Sequence, residues 1–286
     1  MTLILVNTNH LSEGLWFRDD DDFKAGMNYV ALEVAKSGVR VLAFILMSNH
    51  VHFLLECNKW ESEEFITNIK RKYSLYYRRR YGIKEFLRRN GVDIREIPCK
   101  DEAPERAIAY VQMNSVAANI CLSPTQYPWG TGNVFFSQTK VEGIRAECLS
   151  WKAQCRLLRS HEQLPDNYLI ADGYVLPESY TERVFVERLY RTPSRMQYFL
   201  LNSSKAKVAL SVAESHIPSF RDQSIMVAVP DLCQSLFHSS SVSELPTESK
   251  SFLLKELRRR FSADVEQLAR VTGIVRAEVI RLLDVL

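Results

Sequence analysis

Met47-Ser48-Asn49-His50-Val51-His52-Phe53-Leu54-Leu55-Glu56 decides how this chain is read. It follows the apolar run Val41-Leu42-Ala43-Phe44-Ile45-Leu46. Residues i and i+2 of a β-strand share a face. On a strand, His50 and His52 therefore aim both imidazoles into one small volume, as a pair of candidate metal ligands. Val51 and Phe53 face the other way, into a core. The Met47-Ser48-Asn49 turn then joins two strands, 39–46 and 50–56. Outward from this hairpin, 3–8 reads as a strand. Residues 23–37 read as a helix whose entry at Asp19 to Asp22 suits the positive helix end. A long basic helix is expected over 61–81, stopped at Gly82, and another over 101–120, with Pro104 in its first turn. The order of elements predicts an α+β fold, an antiparallel sheet with packed helices.

The composition is that of a globular chain: 286 residues, 46% hydrophobic and 25% charged. No apolar stretch approaches the roughly 20 residues that span a bilayer, and the N-terminus lacks the pattern of a signal peptide. The scattered Cys57, Cys99, Cys121, Cys148, Cys155 and Cys233 form no C-x-x-C pair. These features predict reduced thiols, a cytoplasmic location and no membrane partner. The net charge of +3 hides an asymmetry, because residues 70–100 hold eleven Lys and Arg against three acids. Tyrosines interleave that charge in Lys70-Arg71-Lys72-Tyr73-Ser74-Leu75-Tyr76-Tyr77-Arg78-Arg79-Arg80-Tyr81. Cations for phosphates and rings for unpaired bases suit a single-stranded nucleic acid. Lys70, Arg71, Lys72, Tyr77, Arg78, Arg79 and Arg80 are the candidate contacts, against the plainer alternative of a solvated helix face. Phe65, Ile69, Tyr73 and Tyr76 follow helical spacing and belong to a core.

The third element is Tyr110 with Asn114, neighbours one turn apart on the expected helix. Laid across the sheet, such a helix brings a phenol and an amide to the two histidines. A phenol of ordinary pKa, about 10, is a weak nucleophile. A divalent ion on a phosphate oxygen offsets the charge that builds during attack. Two imidazoles with oxygen ligands admit Mg or Mn. Tyr110 is a candidate nucleophile against the plainer alternative of a core aromatic, and Tyr73, Tyr76 and Tyr77 are rivals that helix packing and stacking explain better. His50, His52 and Asn114 are the candidate ligands. Glu56 is a rival ligand two steps from His52, and His10 reads as a turn histidine.

Leu46-Met47-Ser48-Asn49-His50-Val51-His52-Phe53-Leu54-Leu55 resembles the HUH motif of single-tyrosine transposases, including REP-associated tyrosine transposases. Tyr110-Val111-Gln112-Met113-Asn114-Ser115-Val116-Ala117-Ala118 resembles the block that carries that family's nucleophile. Tyr127-Pro128-Trp129 resembles the motif that follows it. The resemblance covers roughly 1–135. It implies a ferredoxin-like nuclease core and metal-dependent cleavage and rejoining of single-stranded DNA in transposition. Tyr110 would form a 5′-phosphotyrosine and release a 3′-OH. It also implies hairpin-forming repeats as substrate, a bacterial, nucleoid-associated setting, and a homodimer as one assembly, since some relatives swap the tyrosine helix between subunits. Ser115 replaces the family's usual proline, Asn9-His10 replaces its arginine region, and 82–98 lacks its usual segment. An inactive or domesticated copy that binds DNA hairpins is therefore the alternative reading.

Beyond 135 the texture changes. Residues 136–245 read as a mostly helical middle region without assigned chemistry, ending in a polar linker over 237–248. Residues 246–286 read as a helix-turn-helix domain, with helices over 252–260, 265–271 and 276–282 and a turn at Gly273. There Arg276, beside Arg270 and Arg281, is a candidate DNA contact.

Overall fold

The computed structural model describes residues 2–10, 14–84, 86–87, 90–139, 141–205, 220, 222–261 and 263–284. A four-stranded sheet is built from β1 (Leu3–Thr8), β2 (Arg40–Met47), β3 (His50–Glu56) and β4 (Val92–Ile97), in the order β2-β3-β1-β4. Every neighbouring pair is antiparallel. Between β1 and β2 runs α1 (Asp20–Ser37), and after β3 runs α2 (Lys59–Tyr81). Asp19 caps α1 by accepting from the Asp22 N–H. A reciprocal pair of bonds between Asn58 and Glu61 caps α2. Gly82 ends α2 with φ at 68°, the left-handed region that glycine enters without strain. Phe65 of α2 meets Phe53 edge-on at 5.4 Å, so the odd residues of β3 face the two long helices.

The even residues of β3 face α3 (Ala103–Gln112), which crosses the other side of the sheet. The single helix expected over 101–120 is divided at Met113, with α4 (Asn114–Ala117) following. The Asn114 amide donates to the carbonyls of Tyr110 and Val111, at 2.9 and 3.1 Å, and thereby ends α3. β4 was not anticipated: in Val92-Asp93-Ile94-Arg95-Glu96-Ile97 the charges that hide the strand sit on a sheet edge, where they discourage further pairing.

The outer edge of β2 is covered by the Tyr127-Pro128-Trp129 segment. The Leu46 N–H donates to the Trp129 carbonyl, the Tyr127 hydroxyl donates to the Leu46 carbonyl, and the Thr131 N–H donates to the Phe44 carbonyl.

The hydrophobic cores divide elsewhere than at 135 and 245. The first core continues through the middle region to Phe199. That region holds α5 (Trp151–Leu158), α6 (Arg183–Tyr190) and α7 (Pro193–Leu201). It also holds a small sheet of β5 (Ile144–Arg145), β6 (Leu169–Ala171) and β7 (Tyr174–Val175). Asn28 of α1, buried in the joint, accepts from the Val175 N–H at 2.8 Å. The Glu182 N–H donates to the Val41 carbonyl on β2. Part of the expected middle region, 206–219, lies outside the described residues.

A second core unites Leu15 with Phe220 and residues of α8 (Asp222–Phe237), α9 (Thr247–Phe261), α10 (Val265–Thr272) and α11 (Arg276–Asp284). The expected linker over 237–248 instead lies between two helices of this core, with Leu245 buried in it. Ion pairs from Arg18 to Asp231 and from Arg260 to Asp20 join the two cores. Among the described residues, no helix is long and apolar enough to cross a membrane.

Gly130 is where the covering segment comes closest to β2. A Cβ there would stand 2.5 Å from the Phe44 carbonyl oxygen and 3.0 Å from the Ile45 Cα, both backbone atoms. Gly130→Ala is expected to lower stability by about 1–3 kcal/mol, since backbone must shift to admit the methyl group. A shifted midpoint with an unchanged slope in urea unfolding is the expected reading, and an unchanged midpoint would show that the edge segment yields freely.

Candidate active site

The β1–β3 register sets Asn7 opposite His52, and the β1–β4 register sets Asn7 opposite Asp93. Residues directly opposite share a face. The His52 Nδ1 accordingly meets the Asn7 Oδ1 at 2.5 Å, and the His50 Nδ1 meets the Asn49 Oδ1 at 2.7 Å. An amide oxygen only accepts, so each Nδ1 carries the proton and each Nε2 keeps its lone pair. The two rings are 4.7 Å apart and perpendicular, and both side chains are buried. Burial pushes the His52 pKa down to about 3, helped by the Lys205 and His10 charges and opposed by the Asn114 amide. Burial likewise holds His50 well below the usual value, with His52, His10 and Lys205 adding to the effect. Both imidazoles are therefore neutral, as metal ligands must be.

The His52 Nε2 is buried with no hydrogen-bond partner among the described residues. Such an orphaned lone pair fits a metal ligand. No cluster of three His, Cys, Asp or Glu fit to hold a metal ion occurs among the described residues. Further donors would have to be amide, water or phosphate oxygens. Asn114 stands where that requires: both protons of its amide group point at helix carbonyls, which leaves its oxygen available beside His52. Glu56 is excluded from the pair, because it lies at the far end of β3 in an ion pair with Arg40. The turn residue His10 rests its ring against His50 at 3.8 Å between centroids, closer to the pair than its place in the sequence suggests.

Tyr110 meets His52 within the same chain, edge-on at 5.7 Å between ring centroids. It is half-buried, and burial raises its pKa. Arg95 on β4 opposes that rise and Asp93 adds to it. Lys205, just beyond α7, carries its Nζ 4.9 Å from the centre of the Tyr110 ring. Sequence reasoning missed Lys205, which lies almost a hundred residues from the tyrosine block and in no motif.

The basic helix falls on the opposite side of the sheet from Tyr110, and its residues divide. Tyr77 is only 1% exposed. Its hydroxyl is bonded to Leu15 and Arg18, and its ring stacks on Phe86 at 3.7 Å. It is a core residue, not a platform for bases. Arg80 is held by Asp19 and Asp22, and Lys72 by Glu162 and Glu33. These two charges are spent inside the protein, so their expected role in binding nucleic acid is corrected. Lys70 donates to the Asn90 carbonyl. Arg71, Arg78 and Arg79 remain exposed. Lys70, Arg71 and Arg78 line a groove of about 430 Å³, with Phe86 and Leu87 on its wall. Arg276 is exposed and paired with Glu266.

The buried histidines make stability depend on pH. His52 has a folded pKa near 3 against an ordinary value of 6.5, so below about pH 6.5 the unfolded chain binds the extra proton. Stability is full above that point and is lost as pH falls toward 3. Lowering the pH from 7 to 5 is expected to cost about 2 kcal/mol through His52 alone, with His50 adding a loss of the same sign. Urea unfolding of the metal-free protein at the two pH values measures this. The double variant His50→Asn/His52→Asn should flatten the dependence, and an equal slope in the variant would rule the pair out as its source.

Residues 18–91 match the family model described as "Transposase IS200 like". The match takes in α1, β2, β3 with both histidines, and α2. No curated protein sequence matches the chain. Among solved structures, a REP-associated tyrosine transposase bound to a REP hairpin is similar over 46% of this chain and 77% of its own, at 10% identity and a TM-score of 0.39. The segment that bears the histidine pair, about a quarter of the chain, is thus similar to the IS200-like transposases.

Proposed function

We propose that this protein cleaves and rejoins single-stranded DNA through Tyr110, with His50, His52 and Asn114 holding one Mg or Mn ion. The observation that carries the reading is the meeting of Tyr110 with His52, whose Nε2 is buried with no hydrogen-bond partner among the described residues and whose ring lies against that of His50. The β2-β3-β1-β4 order supports a ferredoxin-like nuclease core. In the reaction the Tyr110 oxygen bonds to phosphorus while the bond from phosphorus to the 3′-oxygen breaks. The phenol loses its proton, and the leaving oxygen takes one up as a 3′-OH. One phosphodiester replaces another, so the released hydroxyl can reverse the step without an external energy source. A bound divalent ion supplies charge stabilisation to the phosphate. Asn7 and Asn49 fix the tautomer and direction of the imidazoles.

The substrate reading is a hairpin with single-stranded flanks. Its support is the groove along Lys70, Arg71 and Arg78, walled by Phe86 and Leu87, together with Arg95 of β4, whose charge acts on Tyr110. DNA lying in this groove reaches the tyrosine by rounding the β4 edge of the sheet. The second core supplies a further contact surface in α10 and α11, whose arrangement about Gly273 suits a helix-turn-helix with Arg276 exposed.

A covalent-capture assay tests the chemistry. With Mn²⁺ and a 3′-labelled pool of randomised single-stranded oligonucleotides, the protein should form an adduct that survives SDS. A 5′ label should instead leave with the free 3′-OH fragment. Tyr110→Phe should abolish the adduct. His50→Ala should reduce it at least ~100-fold, in keeping with several kcal/mol of lost charge stabilisation. An adduct undiminished in Tyr110→Phe would remove that residue as nucleophile, and no adduct from wild type would favour a binding protein that does not cut.

Two further outcomes follow from the geometry. Asn7→Leu should weaken Mn²⁺ binding about 10- to 100-fold while leaving both ligands in place, as calorimetry can read. Arg71→Ala with Arg78→Ala should weaken DNA binding across sequences and lower its salt dependence by about one phosphate contact each. An unchanged salt slope would move the DNA path away from the groove.

A further inference from the structure

Lys205 belongs to none of the motifs that mark the site, yet it lies against the phenol and acts on three imidazoles. Its ammonium lies 4.9 Å from the centre of the Tyr110 ring. Its charge also acts on His10, His50 and His52, in each case against protonation. A cation that lies over the phenol ring and influences three imidazoles shares their site. The side chain is half-buried, and no carboxylate among the described residues offsets its charge. Placing an ammonium there without a counter-ion is costly, and a bound anion would relieve the cost.

The position is built, because the segment bearing Lys205 is clamped to the helix bearing Tyr110. Arg195 of α7 pairs with Glu102 and Glu105 at the start of α3, both at 3.2 Å. The Tyr190 hydroxyl donates to the Glu105 carbonyl at 2.6 Å, and the Tyr190 ring packs on Phe199. Lys205 follows four residues after the end of α7.

We propose that Lys205 binds a non-bridging oxygen of the phosphodiester that Tyr110 attacks, which makes the middle region a part of the active site. This inference rests on the reading of Tyr110 as nucleophile. Attack adds negative charge to the phosphoryl oxygens, and a lysine supplies a compact, well-placed positive charge to meet it. The lysine forms no bond with the substrate beyond this contact, and its protons stay on nitrogen.

Two measurements on the full chain separate this inference from the reading beneath it. In a Tyr110→Phe background, where no cleavage intervenes, Lys205→Met should lower the log–log salt slope of single-stranded oligonucleotide binding by about 0.7, the value for one lost phosphate contact. Lys205→Arg should keep the slope. In the Tyr110 protein with Mn²⁺, Lys205→Met should slow adduct formation about 100-fold on a captured oligonucleotide. The deficit should vanish when the scissile phosphate is replaced by a methylphosphonate, which lacks the charge the lysine meets. Lys205→Arg should recover most of the rate on the ordinary substrate. An unchanged salt slope, or equal slowing on both substrates, would overturn the phosphate contact and leave Tyr110 standing. If wild type forms no adduct, the nucleophile reading fails, while the salt slope still decides whether Lys205 touches DNA.

Discussion

The two-residue period of β3 is the constraint on which the rest of this structure depends. The strand is paired on both sides, to β1 and β2, and both of its faces are buried. It cannot slip by one residue without carrying Phe53 out of its contact with α2 and the imidazoles into the larger core. Burying two imidazoles is unfavourable unless their N–H groups are met, and Asn7 and Asn49 meet them. The same arrangement leaves the buried His52 Nε2 without a hydrogen-bond partner among the described residues. Fold and chemistry here share one set of bonds: the amide that makes burial tolerable also fixes which nitrogen is available.

The second requirement is a helix held across the histidine face at the right height. α3 has no side-chain cap at its N-terminus, where Glu102 adopts a left-handed conformation with φ of 60°. Its start is steadied from outside, by Arg195 and Tyr190 of the middle region. That region is thus less an appendage than a brace. It also runs along β2 through Glu182 and is joined to α1 at Asn28. The second core hangs on the first through charges at the start of α1, where Asp20 meets Arg260 and Arg18 meets Asp231.

Much of the site was legible because short-range geometry carries it. Strand parity brings His50 and His52 together whatever the rest of the chain does, and a single helical turn relates Tyr110 to Asn114. What could not be read depends on distant pairing. β4 has an alternating pattern diluted by charge, as an edge strand tolerates. Lys205 joins the site only through the docking of α7 on α3. Tyr73 and Tyr76 are buried as their helical spacing implies, but Tyr77 is buried with them for a reason the sequence hides: a ring that stacks on a base and a ring that packs a core have the same composition and spacing. The Tyr77 ring stacks on Phe86 and is closed to bases. Arg80 and Lys72 misled in the same way, since a basic residue looks equally free until its carboxylate partners, Asp19, Asp22, Glu33 and Glu162, are located. The first core does not end at 135, because apolar side chains of the middle region such as Val175, Val186 and Phe199 are buried in one cluster with those of the sheet, while Phe220 belongs to the second.

Asn114 does two things with one amide: its nitrogen closes the last turn of α3 and its oxygen stands beside His52. The length of the helix and the composition of the site are therefore one variable. An extra turn in α3 would carry the amide about 5.4 Å along the axis, stripping the pocket of that oxygen even with every side chain of the motif retained. A chain of this architecture can drift in its loops and its surface, but the residue count between the sheet-facing phenol and the helix end is held to a fixed value by geometry.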